Sequence, residues 1–185
     1  MAARKTLIAE LYFDLKRSGF GFEFPNEAFS EPDQKTEEYL AFFEEHGCAV
    51  PETVAEFYRQ VGSVNFIGLS SSWDDAEYPD ALDIMPLEAA FDEFKERYVD
   101  SAEEKKFCIE TYGGFYFPLS PDYYHKQNIS GGEAYGFVIP SKESDPPILN
   151  MPWKLRFTEY IDFAVSRRGF PGLGFLRKTH DTDSG

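Results

Sequence analysis

The sequence predicts an α+β domain. Apolar residues recur at helical spacing through most of the first hundred positions, short apolar runs punctuated by Gly-Gly pairs follow, and helical spacing returns near the end. The regular βα alternation of a doubly wound sheet is absent, as are internal repeats and low-complexity linkers, so one domain is expected.

The elements follow in order. Leu7, Leu11 and Leu15 recur every four residues with Ile8 and Tyr12 beside them, which predicts a first helix stopped by Gly19. A polar loop, 26–34, precedes a second helix marked by Tyr39, Leu40 and Phe43 and ending at Gly47. Pro51 opens the third helix at a position where its missing N–H costs nothing, Val54, Phe57, Tyr58 and Val61 form its apolar face, and Gly62 closes it. Residues 64–68 read as a strand, 70–80 as an acidic loop and 81–85 as a second short strand. Pro86 then opens a helix with Leu87, Phe91, Phe94 and Tyr98 on one face. Beyond Asp100 the pattern is strand-like over 106–110, 114–119 and 133–139, with Gly113-Gly114 and Gly131-Gly132 as turns and 148–150 as an edge strand. A last helix is predicted from Thr158, as N-cap, to Arg168, with residues 170–176 folding back over its end.

Composition restricts the function. Of 185 residues, 42% are apolar, and Phe (19) outnumbers Tyr (11) and Trp (2), a bias that fills a core and does not stack sugars. There are 33 acidic residues and 18 basic ones, a net charge of -15. That balance argues against nucleic acid, whose binding rests on Lys and Arg displacing counterions, and against anionic membrane surfaces. It suits a basic protein partner steered in by charge, and it equally serves solubility. Cys48 and Cys108 lie far apart, outside any metal or redox spacing, and read as buried thiols in a reducing, cytoplasmic compartment. The N-terminal stretch places Glu10, Asp14 and Lys16 within its apolar pattern, so it reads as an amphipathic helix and not a signal peptide, and no run of about 18 apolar residues exists to span a membrane.

Two clusters are candidates for chemistry. Trp73, Asp74, Asp75, Glu77 and Asp80 join carboxylates to an aromatic ring, a set suited to Lys and Arg side chains of a partner, with a solvated loop as the plainer reading. The spacing and the missing central Gly do not match an EF-hand. Asp122, His125, Lys126, Asn128 and Ser130 lie beside Gly131-Gly132, where backbone N–H groups can hold an anion; the simpler reading is a turn capped by Asp122. It is not a Walker A loop, because the Lys precedes the glycines. The three histidines, His46, His125 and His180, form no metal-binding spacing, and neither cysteine sits in a nucleophile motif. No enzyme, metal or cofactor is therefore expected. With 33 carboxylates a glycoside-hydrolase pair stays open, though none has an identified partner.

Three segments, taken together and in order, resemble the SUKH superfamily over about residues 49–173. They are Val50-Pro51 through Phe57-Tyr58 to Val61-Gly62, Ser120-Pro121-Asp122 through His125-Lys126 to Gly131-Gly132 and Tyr135, and Phe157, Glu159 and Tyr160 followed by Gly169-Phe170-Pro171-Gly172. Where the family often carries a second Gly in the first segment, this chain has Ser63. The resemblance implies a mixed or antiparallel sheet partly wrapped by helices in a domain over 49–176; outside it, 1–48 reads from its periodicity as an extra helical segment packed on the domain and 177–185 as a flexible tail. It also implies a protein-binding role without shared catalytic residues and with a variable binding surface. Many bacterial members look like immunity proteins of toxin–antitoxin type, while a fungal member regulates cell-wall synthesis. The expected function is thus neutralisation, by occlusion, of a cognate basic toxin such as a nuclease. The alternative is a regulatory scaffold or interaction module without a toxin partner, and a third class is an enzyme using clustered carboxylates.

Overall fold

The computed structural model describes residues 1–70, 80–129 and 131–171. Helix α1 (Ala2–Arg17) buries Ile8, Leu11 and Leu15, while Leu7, expected on the same face, lies at its edge, 44% exposed. Gly19 ends the helix at φ +78°, a left-handed turn that a Cβ would disfavour. The chain then contributes two short strands, β1 (Gly21–Phe22) and β2 (Phe29–Ser30), the second lying inside the predicted polar loop. Helices α2 (Thr36–Glu45) and α3 (Glu52–Gln60) follow, and Pro51 sits at the N-cap of α3. Val54, Phe57 and Tyr58 are all buried, as their spacing predicts, and the Tyr58 hydroxyl donates to the Met85 carbonyl at 3.1 Å.

The predicted strand over 64–68 is two pieces, β3 (Ser63–Asn65) and β4 (Gly68–Leu69). β4 pairs antiparallel with β1, and β3 lies between β2 and β5 (Asp83–Ile84). Residues 1–48 therefore supply strands as well as helices to the sheets of the remainder. Gly62 explains how the β2–β3 ribbon closes: at φ +84°, a Cβ there would stand 2.3 Å from the Glu31 carbonyl oxygen.

α4 (Leu87–Phe94) runs into a π-helical turn, 95–99, and then into α5 (Ala102–Tyr112). α5 corrects the expectation of a strand over 106–110. The start signal was present: the Ser101 hydroxyl accepts from the Glu104 N–H at 3.2 Å, with Glu103 and Glu104 in the first turn. The apolar run Phe107-Cys108-Ile109 looked strand-like because α5 is a surface helix; Cys108 is buried while Phe107 and Ile109 are 48% and 47% exposed.

β6 (Phe115–Ser120) and β7 (Tyr135–Ile139) form an antiparallel pair, with Phe117 and Phe137 stacked across it at 4.9 Å. The expected strand at 148–150 is reduced to a single bridge between Leu149 and Gly136. The structure thus holds small antiparallel ladders where one larger sheet was expected, within the α+β class.

α6 (Phe157–Ser166) begins two residues earlier than predicted, with Arg156 and not Thr158 at the N-cap. Two carboxylates satisfy its first N–H groups: Glu159 accepts from Arg156 N at 2.9 Å, and Asp145 accepts from Thr158 N at 3.1 Å and from the Thr158 hydroxyl at 2.6 Å. Asp145→Ala is expected to lower stability by about 1–2 kcal/mol in urea unfolding, with Asp145→Asn recovering much of it. Phe170 folds under the helix end and is 1% exposed. Residues 172–185, which include the predicted tail, lie outside the described residues. One continuous hydrophobic cluster runs from Ile8 in α1 to Phe170 and includes Phe43, Phe57, Phe94 and Phe117. Among the described residues no helix is long and apolar enough to cross a membrane.

Candidate functional site

β5 carries the most polar part of the interior. Its flanking residues Leu82 and Ile84 are fully buried, and so, at 4% exposure, is Asp83 between them. Just before the strand, Asp80 is 1% exposed, and its carboxylate accepts from Lys126 Nζ at 2.7 Å and from the Tyr135 hydroxyl at 3.1 Å. Lys126 Nζ also donates to the Ala81 carbonyl at 2.9 Å and lies 5.0 Å from the Tyr135 ring centroid. A fully buried ammonium is tolerated only where donors and charge are matched, and here they are. Burial works against the Lys126 charge, but Tyr160, Asp80 and Asp83 around it outweigh that and raise its pKa.

Lys126 reaches inward because of the turn that holds it. Asp122 follows β6 and accepts backbone N–H groups from Tyr124 (2.7 Å) and His125 (3.2 Å), and its second oxygen binds His125 Nδ1. This caps a single 3₁₀ turn, 125–127, which Asn128 terminates in left-handed conformation at φ 57°. Lys126 therefore points into the core while His125 stays about half exposed. Burial pushes the Asp122 pKa up, but the His125 side chain and the two N–H groups win and lower it. Gly132, at φ +102°, lies against this carboxylate; a Cβ there would be 2.8 Å from Asp122 Cγ.

In front of this network lies a cleft of about 420 Å³, lined by Glu23, Phe24, Asn65, Asp83, Asp122 and Lys126 among others, with His125 and Asn128 beside them. Asn65 and Asp83 are direct cross-strand partners and both line it. The Asp83 carboxyl is pushed up to about 6 by burial; Lys126 pulls it down, while Asp80 and Glu27 push it further.

The structure thus brings Asp122, His125, Lys126 and Asn128 together as a built turn. Asp80, expected among partner-facing carboxylates, is instead an interior counter-ion, because Lys126 needs one where water cannot reach. Trp73, Asp74, Asp75, Glu77 and Ser130 lie outside the described residues. Sequence reasoning missed Asp83, Tyr135 and Asn65. The available signal for Asp83 was an acid flanked by two apolar residues in a short strand, a charge that had to point inward or interrupt the core.

Chemically, the Asp122–His125 pair orients an imidazole at the cleft, yet no hydroxyl or thiol stands among the described lining residues. The cleft offers acceptors and an aromatic wall, which is the equipment of a cation-binding site. Comparison with family models, with curated proteins and with solved structures finds no match.

Proposed function

We propose that the protein acts by binding a basic protein partner, as an immunity-type member of the SUKH superfamily that occludes the nucleic-acid-binding surface of a cognate toxin. The observation that carries this reading is how the charges are spent. Among the described residues, eight Lys and Arg side chains pair with carboxylates of this same chain: Arg4 with Asp162, Lys5 with Glu31, Arg17 with Asp14, Arg59 with Glu37, Arg97 with Glu93, Lys106 with Glu110, Lys126 with Asp80 and Arg156 with Glu143. Each pair cancels locally and leaves 25 acidic residues against 10 basic ones, which carry the net charge of -15. Glu23, Glu27, Glu44 and Glu45 are among those exposed. A surface of that kind attracts a partner whose own Lys and Arg are arranged for polyanions, and repels nucleic acid.

Binding of this sort weakens as salt rises, mainly through the association rate, and buries roughly 1,200–2,000 Å². Capture from lysate of the source organism is expected to retain one basic, toxin-like protein at low salt and to lose most of it at high salt, and co-expression is expected to rescue cells from that toxin. Capture of a host assembly with no toxin among the prey would favour the scaffold role, and failure of rescue would overturn the immunity reading.

A further inference from the structure

The cleft contains a buried acidic group that no described side chain engages. Asp83 is 4% exposed, lines the cleft, and accepts no side-chain hydrogen bond from any described residue. Its carboxylate oxygens are open to the cleft, so a group that enters the cleft can engage them. Its charged and amide neighbours are committed elsewhere, and the buried Tyr160 hydroxyl nearby donates to none of the described residues. Lys126 Nζ is committed to Asp80 and to the Ala81 carbonyl, the Tyr135 hydroxyl to Asp80, and the Asn65 side-chain oxygen is itself an acceptor, from Ile67 N at 3.1 Å. Asp83 therefore presents empty acceptor positions toward the cleft.

The surroundings define what fills them. With Asp80 behind Lys126, the cleft region holds four carboxylates, Glu23, Asp80, Asp83 and Asp122, against one ammonium, so it attracts a cation. A desolvated carboxylate favours guanidinium over ammonium, because guanidinium is more weakly hydrated and meets both carboxylate oxygens with a planar fork. Phe24, 43% exposed on the cleft wall, offers a ring face for the same group. Carboxylates beside an exposed aromatic ring suit a side chain carried on a basic protein surface.

We propose that the cleft takes an arginine side chain of the basic protein partner, its guanidinium seated on Asp83. This rests on the protein-binding role proposed above, and its test does not depend on that partner. Amide resonances of the ¹⁵N-labelled protein are followed while acetyl-Gly-Arg-Gly-amide is added at low salt. The expected result is saturable shifts at Asn65, Ile67, Asp83 and Asn128, with binding at least tenfold weaker for the neutral citrulline peptide and for the Asp83→Asn protein. Glu23→Gln, at an exposed lining residue, is expected to cost two- to threefold. Agmatine, a free guanidinium compound, is expected to bind more weakly than the peptide; agmatine binding with the peptide excluded would overturn the assignment to a protein side chain. Equal shifts with arginine and citrulline peptides on the wild-type protein would overturn the site itself, whether or not Asp83→Asn folds. A captured partner held equally by wild type and Asp83→Asn would remove the anchor and leave the protein-binding role standing.

Discussion

Lys126→Met is expected to destabilise the protein by about 3–5 kcal/mol, the cost of breaking a buried ion pair by removing one member. Lys126 and Asp80 are each 1% exposed at the side chain, so water cannot replace the lost ammonium. Asp80 would keep the Tyr135 hydroxyl as a donor, at 3.1 Å, and lose the charge that offsets its own burial and that of Asp83. The urea midpoint should fall sharply with an unchanged slope. The double variant Lys126→Met/Asp80→Asn should recover a large part of the loss, because the damage lies in an uncompensated charge more than in missing contacts. A loss below about 1 kcal/mol would mean that the pair behaves as a solvated surface pair.

Asp83→Asn is expected to have the opposite sign. The folded-state pKa of Asp83 is about 6, above its ordinary value of 3.8, because burial disfavours the charge; Lys126 opposes that, and Asp80 and Glu27 add to it. Between 3.8 and about 6 the native state holds a proton that the unfolded chain releases. The contribution of the neutral carboxyl is thus fully present below pH 3.8 and is lost as pH rises through about 6, so stability falls over that window. A shift of this size corresponds to at most about 3 kcal/mol. At pH 7 the Asn variant, which carries no charge, is expected to be more stable than wild type by up to that amount, and at pH 4 nearly equal to it. The difference between the two proteins isolates Asp83 from Asp122, whose lowered pKa acts in the opposite direction at lower pH. Unfolding curves at pH 4, 5, 6 and 7 decide this. A variant less stable than wild type at pH 7 would show that the Asp83 charge is satisfied within the fold. Stability withheld at a position that faces an open cleft is the pattern of a site kept for a ligand.

The helical part of the fold was legible wherever one face is buried. Val54, Phe57 and Tyr58 announced α3, and Leu87 with Phe94 announced α4, because burial of a single stripe forces apolar residues to recur at the helical period. α5 was not legible by that rule, since it buries Cys108 alone and its other apolar residues face outward; only the Ser101–Glu104 cap marked it. The strands β1 and β2 are two residues each, too short to display alternation, and the stretch at 148–150 fell short of a strand because Leu149 alone bridges to Gly136. In the candidate site, the Asp122 turn with its glycines could be read locally, since each partner lies within about one turn of chain.

The α+β class, the principal helices, the Asp122 turn and the acidic balance of 33 to 18 follow from composition or from neighbours close along the chain. Only the tertiary structure decided that Lys126 meets Asp80, 46 residues away, in the interior, and that Asp83 is left facing a cleft with its carboxylate unpaired. Whether a charged residue is a surface charge, a counter-ion or a binding group depends on which distant segment covers it and what dielectric that cover creates, and local spacing carries no information about either.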